Sequence, residues 1–213
     1  SVYEWAHYTS KKGAVKMHTL LDYDCLLPEF VNITDGKTSD NKAAFDIDIS
    51  PFSIVVADRG YCDYALLNHW DSNTVFFVVR PKDNIRYTCI EERPLPEKRA
   101  QNVLIDEVIE FELPSAKAKY PGRLRRIAVW NEEHGYVVEL LTNNFSLAAS
   151  TIAALYMARW MIELFFRSLK QLLRIKSFIG TTRNAVEIQI WTALTTMLLL
   201  CWLKHIAKYK WAL

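Results

Sequence analysis

The sequence is short of several things, and each shortage excludes a class. It has no low-complexity tract and no internal repeat. Its four cysteines, Cys25, Cys62, Cys89 and Cys201, stand far apart with no CxxC pair. That pattern argues against a structural zinc site or a disulfide scaffold and fits free thiols in a reducing cytoplasm. The opening SVYEWAHYTSKKG lacks the basic-then-apolar layout of a signal peptide and has no initiator Met. It reads as mid-domain sequence, so a fragment is expected. Acid is the scarcest commodity of the last third. Residues 151–213 hold nine Lys/Arg against only Glu163 and Glu187, a balance of +7. Residues 1–150 hold 17 against 22, a balance of −5, so the net charge of +2 conceals a division. A basic third suits a polyanionic partner, and it equally suits a solvated basic face.

What is present is a foldable core: 213 residues with 51% hydrophobic content can bury one domain, or one domain with an insertion. Residues 14–21 and 29–34 alternate as two strands around a DYDCLLP turn, which predicts a hairpin. Ser39 to Asp48 reads as a short helix opened by Ser39 or Asp40. The run SIVVADRGY stops at Asp58, as a strand buried on both faces would. Residues 62–70 read as a helix and TVFFVVRPKDN as a second buried strand. Short alternating segments from 83 to 145 predict a small antiparallel β insertion. Residues 146–176 and 183–209 are expected to be two long helices. Ala185–Leu203 has the length of a membrane span, but Glu187, Gln189 and three threonines favour a buried core helix.

The segment YMARWMIELFFRSLK, 156–170, is the most informative. At about 100° per residue, Tyr156, Arg159, Glu163 and Lys170 fall within an arc of roughly 60°, with Arg167 and Arg174 on or near it. Leu155, Met157, Met161, Ile162, Leu164, Phe165, Leu169 and Leu172 occupy the other side. Glu163 could simply pair with Arg159 and Arg167 on a solvated face. It is, however, the sole acid between Thr151 and Val186. A lone carboxylate among cations suits a divalent ion whose neighbours grip phosphate. Asp58, just past the end of a buried strand, sits where open α/β sheets place ligands; the alternative is that it caps the following helix.

The spacing Tyr156-x2-Arg159-x3-Glu163-x6-Lys170 resembles the YREK signature of DDE transposases of the insertion-sequence-four family. WAHYTSKKGAVKMHTLLD, ITDGKTSD and VVADRGY resemble the blocks that precede it, in the same order. The resemblance implies an RNase H-like, retroviral-integrase-like α/β core over residues 1–82 and 146–213, interrupted by a β insertion at 83–145. It implies transposition of DNA, with Asp58 and Glu163 as catalytic, metal-binding carboxylates for two Mg²⁺ ions, Mn²⁺ being a substitute. Tyr156, Arg159 and Lys170 would contact DNA. Double-stranded DNA, as transposon end and target, would be the partner, with a homodimer in a synaptic complex, in the bacterial cytoplasm and without a membrane.

The family's first acid belongs to a DST-like block upstream of Trp5-Ala6, and no such Asp occurs here. Asp22, Asp24, Asp35 and Asp40 look like turn or cap residues. Lys12, Lys16 and His18 are more simply surface or packing groups. The expectation is therefore a chain with little or no activity alone. A non-catalytic DNA-binding remnant and an RNase H-like metal-dependent nuclease are the alternatives.

Overall fold

Alternating apolar residues carry the first substantial strands. The computed structural model describes residues 7–9, 12–95, 102–173 and 178–207. Trp5, Ala6 and Arg174 lie outside the described residues, as do the side chains of Lys12 and Leu172. A short ladder joins β1 (His7–Thr9) to β2 (Lys12–Gly13). The expected hairpin follows as β3 (Val15–Leu21) and β4 (Pro28–Asp35), antiparallel with His18 opposite Asn32. Its loop is closed by Asp22, whose Oδ1 accepts the N–H groups of Asp24 at 3.0 Å and Cys25 at 2.7 Å. Those bonds, with Cys25 foremost, hold the Asp22 carboxyl below the usual carboxylate range. Asp35 serves the next turn through the Thr38 hydroxyl and N–H. Both acids are turn residues, as their setting in the sequence suggests.

The chain divides into two compact units, residues 1–39 with 160–213 and residues 40–159. The second unit opens with α1 (Asp40–Phe45). It continues through β5 (Ile54–Ala57), a 3-10 turn at Arg59–Tyr61, α2 (Tyr64–Ser72) and β6 (Phe76–Val79). Then come β7 (Tyr87–Glu92), β8 (Val103–Phe111), α3 (Pro114–Lys119), β9 (Leu124–Asn131), β10 (Tyr136–Thr142) and α4 (Ala149–Ala158). Strands β5 and β6 are parallel, as a helical crossover between them requires. The remaining strands are antiparallel and form one six-stranded sheet in the order β5-β6-β10-β9-β8-β7. The strands of residues 83–145 thus continue the β5–β6 sheet through the β10–β6 pairing. Helix α3 is absent from the sequence reading, although Pro114 at its first turn is an ordinary helix-start signal.

One apolar cluster lies between α2 and the sheet, with Leu66, Leu67 and Phe77 fully buried. Another joins Val78, Ile127 and Leu140 to Ile152 and Tyr156 of α4. In the other unit, α5 (Met161–Leu173) and α6 (Arg183–Ala207) close on the hairpin through Ile33, Phe165, Leu169, Val186 and Ile190.

Two expectations need correction. The single long helix over 146–176 is broken at Arg159–Trp160. The Arg159 N–H bonds back three residues to the Tyr156 carbonyl, and the Glu163 N–H likewise to that of Trp160. Such tightened turns end one helix and start another; no glycine or proline announces the break. Nor is α6 a wholly buried core helix. Val186, Ile190, Ala193 and Leu194 are buried, while Trp191, Leu198, Leu199, Trp202 and Leu203 are exposed. By length and composition α6 could cross a membrane; among the described residues only one of its faces has apolar neighbours.

Candidate functional site

The carboxyl ends of β5 and β6 lie side by side, because Ala57 pairs with Val79. The next residues, Asp58 and Arg80, therefore leave adjacent strands at the same edge. Asp58 is exposed and extended, with φ −79° and ψ −179°. Its Oδ1 accepts the Gly60 N–H at 2.7 Å, capping the 3-10 turn. A Cβ at Gly60 would come within 2.9 Å of that same oxygen, so a larger residue there would displace the Asp58 carboxylate. Helix α2 is capped instead by Asp63, which accepts from Ala65 and Leu66. Asp58 is thus held by one oxygen without being consumed as the helix cap. An exposed carboxylate with one oxygen fixed and a second in reserve is a fitting ligand for a hard divalent ion.

Several groups converge electrostatically on this edge. The Tyr156 hydroxyl is pushed up by burial, drawn down by Arg159 and Arg80, and raised again slightly by Asp58. Arg159 also hydrogen-bonds that hydroxyl, and its guanidinium lies 6.0 Å from the Tyr156 ring. Arg80 lies 6.0 Å from the Tyr136 ring at the start of β10. Tyr61, just past Asp58, is pushed up to about 12, by burial first and then by the charges of Asp40 and Asp58. Asp58, Arg80, Tyr156 and Arg159 therefore form one neighbourhood in the sheet unit. Sequence reasoning missed Arg80. The strand-end argument that singled out Asp58 at the close of SIVVAD applies equally to Arg80, which closes the counterpart run TVFFVVR.

Glu163 and Lys170 belong to the other unit, on α5. Glu163 is half-buried, and Arg167 and Lys170 are exposed at i+4 and i+7 on its face. On the far side Phe165 and Leu169 are buried against the hairpin. The apolar side expected from the sequence is only partly real, since Met157 and Leu164 are exposed. Tyr156 departs in the opposite sense: expected on the polar seam, it is buried at 8% exposure in the α4 cluster. Tyr156 is on α4 and Glu163 on α5, so the single-helix arc that grouped them does not hold.

The groups left aside in the sequence behave as packing groups. His18 is buried, with Nε2 2.8 Å from the Thr34 hydroxyl. Lys16 donates to the Thr38 carbonyl at 2.9 Å. Among the described residues no three His, Cys, Asp or Glu side chains group as a metal site, and the four cysteines are free thiols.

Residues 2–199 match the family described as the transposase DDE domain. A protein named as transposase y4zB from Sinorhizobium fredii (strain NBRC 101917 / NGR234) is 34% identical over 197 residues, 92% of this chain and 55% of that protein. A transposase named for insertion sequence element IS5377 of Geobacillus stearothermophilus is 29% identical over 199 residues, 93% of this chain and 52% of its own length. One named for element IS4SA of Synechocystis sp. (strain ATCC 27184 / PCC 6803 / Kazusa) is 27% identical over 192 residues, covering 87% and 52%. The chain spans about half the length of the curated relatives it matches.

Proposed function

The chain belongs to the DDE transposase family, with an RNase H-like α/β fold, and we propose that it supplies two carboxylates and a phosphate grip to DNA transposition of the insertion-sequence-four type. The observation that carries this reading is the sheet edge where Asp58 and Arg80 end adjacent parallel strands, with the Tyr156–Arg159 pair within reach of their charges. Asp58 and Glu163 are the metal-binding acids of the proposal. When bound, divalent ions, Mg²⁺ or Mn²⁺, activate water and stabilise the attacking and leaving oxygens of an in-line displacement at phosphorus.

The chain's own residues do the rest. Gly60 fixes one Asp58 oxygen and leaves the other for a ligand. Arg159 and Arg80 place positive charge around the Tyr156 hydroxyl, where the phosphate backbone would lie. Tyr156, buried and hydrogen-bonded to Arg159, acts mainly by holding that guanidinium. Lys170 adds a second point of positive charge along α5. The partner is double-stranded DNA, as element end and as target, and two copies of the protein would hold paired ends. That substrate favours a cytoplasmic location on the bacterial nucleoid and makes α6 a protein-packing helix.

A third acid is part of the family's chemistry. Among the described residues β5 is an end strand of the six-stranded sheet, and a further strand beside it would bring an acid beside Asp58. On this reading the 213 residues by themselves bind DNA weakly and cut it little or not at all. The test is a nicking assay in Mg²⁺ and Mn²⁺ on a duplex ending in the element's terminal repeat. The chain alone should leave the duplex intact. The chain joined to the additional length its relatives carry should cut it and lose cutting, but not binding, with Asp58→Asn or Glu163→Gln. Cutting by the 213-residue chain alone, or undiminished cutting by either variant of the extended protein, would sink the proposal.

A further inference from the structure

Helix α4 delivers Tyr156 and Arg159, yet its start has no side-chain cap: Ala148 stands at the N-cap position. The segment before it is held by other means. Arg125, on β9 and only 2% exposed, directs its whole guanidinium inward. Nε and Nη2 each donate to one Asp106 oxygen at 2.7 Å. Nη1 donates to the carbonyls of Asn144 at 3.2 Å and Leu147 at 2.6 Å. The Asn144 side chain folds the same turn, accepting from the N–H groups of Ser146 at 3.1 Å and Leu147 at 2.9 Å. One residue earlier, Asn143 accepts from the Phe77 N–H at 2.9 Å and donates to the Val75 carbonyl and to Asp71.

A buried ion pair alone argues little for stability, because apolar residues of similar volume often serve as well. Stability alone therefore leaves the arrangement unaccounted for. Apolar side chains could replace the salt bridge but could not bind two backbone carbonyls. A planar fork with five donors can satisfy a carboxylate on one edge and carbonyls on another. We propose that Arg125 is a positioning residue: locked by Asp106, it clamps Asn144 and Leu147 and so sets where α4 begins, and with it the placement of Tyr156 and Arg159. The β strands of residues 103–131 thereby become part of the DNA-gripping apparatus without touching DNA. The inference rests on the reading of Arg159 as a phosphate contact.

The test uses the double variant Arg125→Met/Asp106→Leu in the 213-residue chain, which removes both charges together. Thermal unfolding, amide hydrogen exchange over residues 144–159 and duplex DNA affinity at several salt concentrations are measured. The expected result is a modest fall in melting temperature, because the Asn144 and Leu147 carbonyls lose their donor. Exchange over 144–159 should be faster by about tenfold or more. The slope of log affinity against log salt should be lower by about 1, the share of one phosphate contact. A purely structural role would move the melting temperature and leave the salt slope alone.

Unchanged exchange in α4 overturns the proposal. Faster exchange with unchanged affinity and slope overturns the positioning role if Arg159→Ala lowers the slope; if Arg159→Ala also leaves the slope unchanged, it is the functional reading that fails. Should the double variant not fold, Arg125→Lys keeps a charge beside Asp106 without the fork and is read in the same way. Unfolding of both would make the pair structural only and overturn the proposal.

Discussion

The two units hold their candidate residues by different physics. In the sheet unit, Asp58 and Arg80 issue from paired parallel strands. The chain before α4 is tied down by buried hydrogen bonds from Arg125 and Asn143. Directional bonds of that kind permit few alternative placements. In the hairpin-and-helix unit, Glu163 and Lys170 ride on α5, seated by apolar contacts of Phe165 and Leu169 with Ile33, Val186 and Ile190. Apolar contact is non-directional, and volume-conserving changes are well tolerated there. One half of the candidate chemistry is thus placed by backbone geometry and polar anchors, the other by packing on a helix face.

The largest effect should ignore that contrast. On the proposed function, Asp58→Asn and Glu163→Gln in a chain extended to the length of its relatives should each lower end cleavage by at least about a thousandfold, about 4 kcal/mol of barrier. Gel assays of cleavage and of binding, run in parallel, check that affinity survives. A strong effect from Asp58 alone would confine the chemistry to the sheet unit. Stability should show the contrast clearly. Arg125→Met strands the buried Asp106 and should cost about 3–5 kcal/mol in chemical denaturation. His18→Gln, which disturbs a buried polar group of the other unit, should cost about 1 kcal/mol. Equal losses would erase the distinction.

The sequence was legible where one local signal decides the outcome. The apolar run ending at Asp58 is a strand because four consecutive apolar residues leave little else, and β3–β4 alternates cleanly around its Asp22 turn. The strand-end position of Asp58 could be read in the same way. Tyr156 could not. Its place on a polar seam assumed one helix through 146–176, and the break at Arg159–Trp160 carries no local mark. Periodicity can assign a residue to a face, but it cannot detect an interruption made by tertiary context. The exposed side of α6 was hidden for a related reason: composition counts apolar residues, while burial depends on what lies opposite them. Arg125 was missed because its importance comes from pairing partners far along the chain, whereas Arg80 carries the same strand-end signal as Asp58.

Arg159→Ala and Lys170→Ala sharpen the comparison at the level of DNA. Each should weaken binding evenly across duplex sequences and lower the salt slope by about 1. Fluorescence anisotropy from low to high salt reads both. If only Arg159 moves the slope, the phosphate grip belongs to the sheet unit alone.

The smallest effect concerns alkaline pH. Tyr61, Tyr64, Tyr120 and Tyr156 all belong to the sheet unit, and burial raises the hydroxyl of each. For Tyr61 the folded value is about 12, against about 10 for an unfolded tyrosine. A raised folded value favours the protonated form, so its contribution to stability is complete below about pH 10 and lost as pH climbs through 12. The sheet unit should therefore loosen first above pH 10, with Asp40 and Asp58 adding to the penalty of ionising Tyr61. Tyr61→Phe cannot ionise, and it should flatten the fall in stability between pH 10 and 12 while changing little at pH 7. Denaturation midpoints across that range, followed by exchange in α2 and in α5, decide the point. Equal alkaline loosening of α5 would mean that the two units share one cooperative transition, and the contrast drawn between them would then hold for local placement only.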